Sequence, residues 1–358
     1  MTSAHKSDDI RIFRKECVSL AKNGFEVFLV ATGESYEKDG VHIVGACERS
    51  EKRLKRMTQT ARKVFKKALE IDADVYHFHD PELLPFAKKL KKRGKKVIYD
   101  SHEDVPRQIM AKEWIPYFLR KPVSNMTEKY ENSVARELDY IVCATPFIRD
   151  RYKQITYNAI DINNFPALDD IMYQTEDYFQ RENILCYAGG LTHARGITQI
   201  VSAMEKIDGK FIYAGSIGED YKKTLDKLDK DNKTEYLGFV DRDGVNNLYK
   251  RALVGDCVLL PTPNHMNSLP IKMFEYMGAG LPFICSDFPL WKSIINESKS
   301  GICVNPNDAD AIAQAVNFLF CNKEKAKEMG DRGRQWVENK YNWSFEEKKL
   351  VDIYKSLV

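Results

Sequence analysis

No run of about 18 apolar residues occurs anywhere in this chain of 358 residues, so no segment reads as a membrane-spanning helix. No two of the eight cysteines (17, 47, 143, 186, 257, 285, 303 and 321) stand at metal-ligand spacing. They are scattered and mostly sit in apolar runs, which excludes a disulfide scaffold and a zinc module and points to a reducing compartment. No charged-then-apolar leader pattern opens the sequence, so a cytoplasmic protein is expected, peripheral at most at the inner face of the cell membrane. Charge of one sign does not dominate either. The formal net charge is +3, with 43% hydrophobic and 30% charged residues, as in a soluble globular protein. The balance is uneven along the chain. Residues 1–166 hold 31 Lys+Arg against 24 Asp+Glu, a net of +7, and the remainder holds 24 against 28, a net of −4. A basic first half implies an anionic partner.

The length exceeds one ordinary core and fits two domains. Strand-like runs occur at residues 25–30, 75–78, 97–99 and 140–143, and a second series at 184–187, 210–213, 234–237, 257–260 and 283–285. Helical patterns lie between most of them, which predicts parallel βα units in two doubly wound domains facing across a cleft. Residues 158–166 lack periodicity and read as the crossing between domains. The expected division is 1–165, 166–343 and a last helix, 344–358. For that helix Ser344 and Glu347 have capping-box spacing. Residues 1–5 read as the tail of a first strand running into a loop, with a helix from Asp8 or Asp9. A first strand is normally central in such a sheet, so a reading frame beginning several residues upstream is expected.

The most informative segment is 267–282, NSLPIKMFEYMGAGLP. It follows the apolar run 256–260 and reads as a helix opening at Pro270 and closing near Gly278 to Gly280. Lys272 and Glu275 share one face near its N-terminus, where unpaired amides and the dipole suit an anion. A cation and a carboxylate there match a ligand with both diphosphate and ribose hydroxyls. The spacing alone is equally that of a surface ion pair. A second segment, 184–197, reads as strand, Gly-rich turn and helix, in which Gly189 and Gly190 admit phosphate oxygens and Arg195 can pair with them. Gly215 ends a similar strand.

Together these segments closely resemble retaining glycosyltransferases of family 4, which have the two-domain GT-B fold. The resemblance implies that Glu275 holds the nucleotide ribose, that Lys272 and Arg195 face the diphosphate, and that Asn267, Ser268 and Leu269 contact the donor sugar. Gly189, Gly190 and Gly215 complete the donor side. Two departures stand out: Asn267 replaces a Glu common in the family, and Gly190 stands where an Arg is common. The resemblance further implies a His beside the donor sugar, at His102, with His5, His79 and Glu103 on the acceptor side. The last helix is implied to pack back on the first domain.

The implied reaction moves a sugar from a nucleoside diphosphate to an acceptor hydroxyl, such as that of a lipid-linked saccharide in bacterial polysaccharide assembly. A catalytically silent nucleotide-sugar binder is the alternative. No cofactor and no metal are expected: the Asp-x-Asp at 241–243 recurs at 72/74, 229/231 and 308/310 and is background. Residues 49–67 carry nine basic side chains, Arg49, Lys52, Arg53, Lys55, Arg56, Arg62, Lys63, Lys66 and Lys67, beside an apolar face formed by Leu54, Met57, Ala61, Val64, Phe65 and Ala68. That pattern fits either a solvated helix or one lying on an anionic membrane. Nucleic acid is not expected, since aromatic interleaving and a known module are missing.

Overall fold

The structure is a computed structural model that describes residues 1–50, 52–112, 114–173 and 178–358, and the backbone alone of Arg53. It divides into two compact units, Met1–Asn164 with Trp343–Val358, and Phe165–Asn342.

In the first unit a sheet in the order β1-β3-β2 comprises β1 (Val27–Ala31), β2 (Tyr36–Lys38) and β3 (Val41–Gly45). A second sheet, parallel throughout, runs in order through β4 (Val75–Phe78), β5 (Lys96–Ser101), β6 (Tyr140–Cys143) and β7 (Ala159–Asp161). Residues 158–166 are therefore not only a crossing: Ala159–Asp161 pairs with β6. The antiparallel β2–β3 pair was not legible either, because its outer strand is exposed and carries no apolar run.

Between these two sheets lies the start of the chain. The Met1 ammonium donates to the His77 carbonyl at 2.7 Å, the His79 N–H to the Met1 carbonyl at 3.2 Å, and the Thr2 N–H to the Val30 carbonyl at 3.0 Å. Met1 and Thr2 thus pair in parallel with β1 on one side and β4 on the other. Ahead of Met1 the gap continues as a cavity of about 520 Å³, lined by Phe28, Val30, Val75 and His77 among others. After the loop, Asp9 caps a π-helical turn, Ile10–Cys17, by accepting from the Arg11 and Ile12 amides. Wide turns of this kind are frequent at functional sites, and this one delivers Arg11 and Glu16 to the interior.

The last helix, Trp343–Leu357, belongs to this first unit. It begins at Trp343, one residue ahead of Ser344, so Ser344 lies in the first turn rather than at the expected N-cap, and Glu347 accepts from Asn23 at 3.0 Å. Trp343 donates to Ser19 at 2.9 Å, Glu346 accepts from the Asn163 amide at 2.9 Å, and the Tyr354 hydroxyl meets His77 Nδ1 at 3.1 Å.

The second unit has one fully parallel sheet of six strands in the order β10-β9-β8-β11-β12-β13. These are β8 (Ile184–Ala188), β9 (Lys210–Ala214), β10 (Thr234–Tyr236), β11 (Val254–Cys257), β12 (Phe283–Ser286) and β13 (Gly301–Val304). The order reverses between β8 and β11, and their ends make the switch point at which open α/β sheets bind ligands. Apolar residues cover both faces, as parallel sheets require. The run expected at 257–260 is displaced: the strand is Val254–Cys257, and 258–260 lead out of it.

Candidate functional site

In the second unit the helix Ile271–Gly278 starts after Pro270 and packs against β11 and β12, and its Tyr276 hydroxyl lies 3.2 Å from the Cys186 carbonyl of β8 and 3.0 Å from the Asp256 carbonyl of β11. Lys272, in its first turn, is only 7% exposed. Its ammonium stands over the Tyr187 ring, 3.0 Å from the centroid, and has no hydrogen-bond partner. The surface ion pair that the spacing equally allowed is thus absent among the described residues. Burial lowers the Lys272 pKa to about 8; the carboxylate of Asp256 opposes this and the charge of Arg195 reinforces it. Asp256, fully buried in β11, is pushed up to about 7 by burial, with Oδ1 on the Val258 amide and Oδ2 unpartnered. Cation and carboxyl group share one interior pocket.

Arg195 sits in the turn after β8, held where the Leu260 amide donates to the Ala194 carbonyl at 3.0 Å. Its charge acts on Lys272, Tyr187 and Cys257, so a turn residue and a helix residue bring positive charge to the same part of the second unit. The Tyr187 hydroxyl donates to the Gly190 carbonyl at 2.8 Å. Gly189 and Gly215 both have positive φ, +149° and +136°, and a Cβ on Gly215 would overlap the Gly189 carbonyl oxygen. A Cβ on Gly189 would stand 3.6 Å from Lys272 Nζ. The glycines keep the floor beside the ammonium open. His265, to which the sequence assigned no role, lies in the field of Arg195 and Lys272 and bonds the Leu260 carbonyl at 3.0 Å.

Glu275, one turn on, is 19% exposed; Oε1 accepts from Arg242 at 2.7 Å and Oε2 from the Tyr249 hydroxyl at 3.4 Å. Arg242 was passed over in the sequence as the middle of an Asp-x-Asp. Its neighbour Asp241 caps the helix Arg242–Arg251 by accepting from Gly244, which accounts for that carboxylate without a metal. Asn267 is exposed in the linker before Pro270. Ser268 donates to the His265 carbonyl, and its own carbonyl accepts from Trp291 at 2.8 Å, which fixes the Ser268–Leu269 backbone.

In the first unit His5, His79 and His102 form a cluster at the ends of the inner strands. His5 and His102 have ring centroids 5.0 Å apart, and His79 Nδ1 lies 3.2 Å from His102 Nε2. Two buried carboxylates anchor them. Asp80 receives His5 Nδ1 at 2.9 Å, Thr2 and the amides of Ser3 and Ala4. Asp100 receives His79, His102 and a bidentate Arg11, Nε and Nη2 each at 3.0 Å. Burial opposes ionisation of Asp100, yet Arg11 and His102 hold it well below the usual carboxylate range. Burial also lowers His79 to about 4 despite Asp100. His5, although burial works against its charge, is raised by Asp80. Glu103 is exposed and accepts from Gln108, apart from the histidines. Glu16, His77, His79 and Asp100 each offer one atom within 4.8 Å of the others. Arg11 already lies at 3.0 Å from both Glu16 and Asp100, so a guanidinium supplies the positive charge these carboxylates need.

Residues 49–67 form a broken helix in the described residues, Arg53–Lys55, Arg56–Thr60 and onward into Ala61–Ile71. Glu51 and the Arg53 side chain lie outside the described residues. Ala61, Val64, Phe65 and Ala68 pack inward, whereas Leu54 and Met57 are 76% and 43% exposed and stand among the cations rather than beneath them. A second apolar surface, unforeseen in the sequence, carries Trp114, Tyr117 and Phe118, 62%, 83% and 75% exposed, at the start of the helix Tyr117–Ala135. Among the described residues no helix is long and apolar enough to cross a membrane.

Comparison with known proteins agrees with this arrangement. Residues 173–336 match the family described as Glycosyl transferases group 1, and residues 13–163 match Glycosyltransferase Family 4. A protein of Methanocaldococcus jannaschii named an uncharacterized glycosyltransferase is 28% identical over 237 residues, 62% of this chain and 59% of the relative's length. The structure resembles sucrose-phosphate synthase from Thermosynechococcus elongatus, with a TM-score of 0.80 at 17% identity over 99% of this chain and 94% of that one. It also resembles the Anabaena protein HepE solved with UDP and glucose, with a TM-score of 0.74 at 12% identity over 98% and 97%.

Proposed function

This chain belongs to the glycosyltransferases, its first half matching family 4 and its second half group 1, and we propose that it transfers a sugar, with retention, from a nucleoside-diphosphate sugar to an acceptor hydroxyl. The observation that carries the reading is Lys272, a buried ammonium without a hydrogen-bond partner, joined by the charge of Arg195. A desolvated cation is costly to keep unpaired, and a diphosphate would relieve that cost. Glu275, steadied by Arg242 and Tyr249, would accept hydrogen bonds from the ribose hydroxyls. Asn267 and the Ser268–Leu269 backbone would meet the sugar. HepE, of the same fold, was solved with UDP and glucose, which supports a nucleotide sugar as donor.

Asn267 carries no carboxylate, so it serves as neither nucleophile nor base. In the proposed step the bond from the anomeric carbon to the diphosphate oxygen breaks as a bond to the acceptor oxygen forms on the same face. The acceptor's proton passes to the departing phosphate, whose growing charge Lys272 and Arg195 stabilise. No metal is required for that stabilisation. His102 and His5, oriented by Asp100 and Asp80, would hydrogen-bond the sugar or the acceptor. Exposed apolar and basic side chains of the first unit, including Leu54, Lys55, Trp114 and Tyr117, favour an acceptor presented at an anionic membrane, such as a lipid-linked saccharide.

A panel of UDP-, GDP- and ADP-sugars, screened by thermal stabilisation and then for turnover, tests this. One donor should raise the melting temperature and be consumed. Lys272→Ala and Glu275→Ala should each lower kcat/KM by about a hundredfold or more. Stabilisation without turnover of any donor on any acceptor would instead select the silent binder, which the absent carboxylate at 267 favours. No stabilisation by any nucleotide would sink both.

A further inference from the structure

On the side of the second unit formed by the last two strands, a cavity of about 500 Å³ opens that the transfer reaction does not use. Three cationic residues line it, Lys292, Lys299 and Arg332, with Ile295 and Met329 as apolar wall. Cys303 of β13 forms part of the same lining. Cys285 of β12 is its direct partner across the parallel ladder, and their sulfurs stand 3.8 Å apart. Cys285 is fully buried, while Cys303 is partly exposed.

Residues paired across adjacent strands have α-carbons roughly 4.8 Å apart. That lies inside the span of about 4.4–6.8 Å that a disulfide bridges. Only the sulfurs need to approach, and the strands can stay in register. The surroundings also differentiate the two thiols. Cys303 is lowered from the ordinary thiol value, first by a hydrogen bond with Cys285 and against the opposing effect of burial, with Lys292 adding to the shift. Cys285, bonded to it and buried, is raised. One sulfur is accessible and inclined to be a thiolate, and the other waits behind it as a protonated resolving thiol.

We propose that Cys285 and Cys303 form a reactive dithiol site that takes small anionic disulfides, of the glutathione type, into the cationic cavity. The Cys303 thiolate attacks one sulfur of the incoming disulfide, forming a mixed disulfide and releasing one small thiolate. The Cys285 sulfur then attacks Cys303 Sγ and expels the second small thiol, with the Cys285 proton passing to the released thiolate. The pair is oxidised by two electrons and the small disulfide is reduced to two thiols. Carboxylates on the incoming molecule would meet Lys292, Lys299 and Arg332, although Lys292 also pairs with Asp287 at 3.2 Å.

The full chain supplies its own control, because Cys321 is exposed and Cys47 partly so. Incubation with glutathione disulfide followed by non-reducing peptide mapping should show modification of Cys303 ahead of Cys321, then a linked 285–303 peptide. Cys285→Ser should stop at the mixed disulfide. Lys292→Met should slow the first step by about threefold with glutathione disulfide, and leave the rate with an uncharged disulfide unchanged. Modification of Cys321 or Cys47 before Cys303, or no linked peptide, overturns the proposal without any variant having to fold. Loss of the nucleotide-sugar reading would leave it untouched.

Discussion

A lysine held at a pKa of about 8 changes charge within a convenient pH range. Its folded value lies below the ordinary one near 10.5, so the unfolded chain binds more protons between the two, and stability should rise with pH across that window. Ligand binding runs the other way. The diphosphate needs the ammonium, so affinity for a nucleoside diphosphate should weaken above about pH 8, by up to about tenfold per pH unit. Titration calorimetry across pH 7 to 10, with Lys272→Met as reference, checks this; an unchanged slope in the variant would assign the effect elsewhere. Lys272 and Glu275 were legible because their spacing and their neighbours form one local motif. Arg242, Tyr249 and Asp256 were not, since their roles depend on pairings between residues 26 to 33 positions apart, or on an interior position in a strand. The Asp-x-Asp at 241–243 drew attention to its carboxylates, whereas its arginine is the residue that pairs with Glu275.

Among the elements, alternating apolar runs and helical patterns revealed two parallel α/β systems because fully buried strands are apolar on both faces. Where a strand carries polar residues the signal fades. β11 holds Gly255 and Asp256, so the more apolar 258–260 drew the expected strand downstream of the observed one. β2 is short and exposed throughout, β7 is short and half-buried, and β13 opens on Gly301 at the sheet edge. The last helix starts at Trp343, one residue before the serine whose spacing to Glu347 marked its beginning, and the Trp343 indole is anchored to Ser19. The turns after β8 and β9 are tighter than their sequence advertises. Gly215→Ala would drive a methyl group into the Gly189 carbonyl at a positive φ, so a loss of about 2–4 kcal/mol in urea denaturation is expected. A wild-type midpoint in that variant would mean the two turns do not touch.

At the scale of the molecule the first unit is discontinuous, assembled from the two ends of the chain. Trp343, Glu346 and Tyr354 return to it after the whole second unit has been made. Completion of the histidine cluster's surroundings therefore waits until the chain has passed through the second unit, since Tyr354 touches His77, which stacks on His79. The opening residues contribute equally: Thr2, Ser3 and Ala4 all serve Asp80, and through it His5.

The space ahead of Met1 is walled by backbone from β1 and β4. Alternation along a parallel ladder turns the backbone of Phe28, Val75 and His77 toward it, and the Met1 ammonium already donates to the His77 carbonyl on one wall. Four apolar residues fused before Met1 would find amide and carbonyl partners on both walls and merge two separate sheets into one. Differential scanning calorimetry should then show a higher melting temperature for such a fusion, and proline-containing tails of equal length should not reproduce it. An affinity tag at this terminus would accordingly act as a structural graft rather than a passive handle.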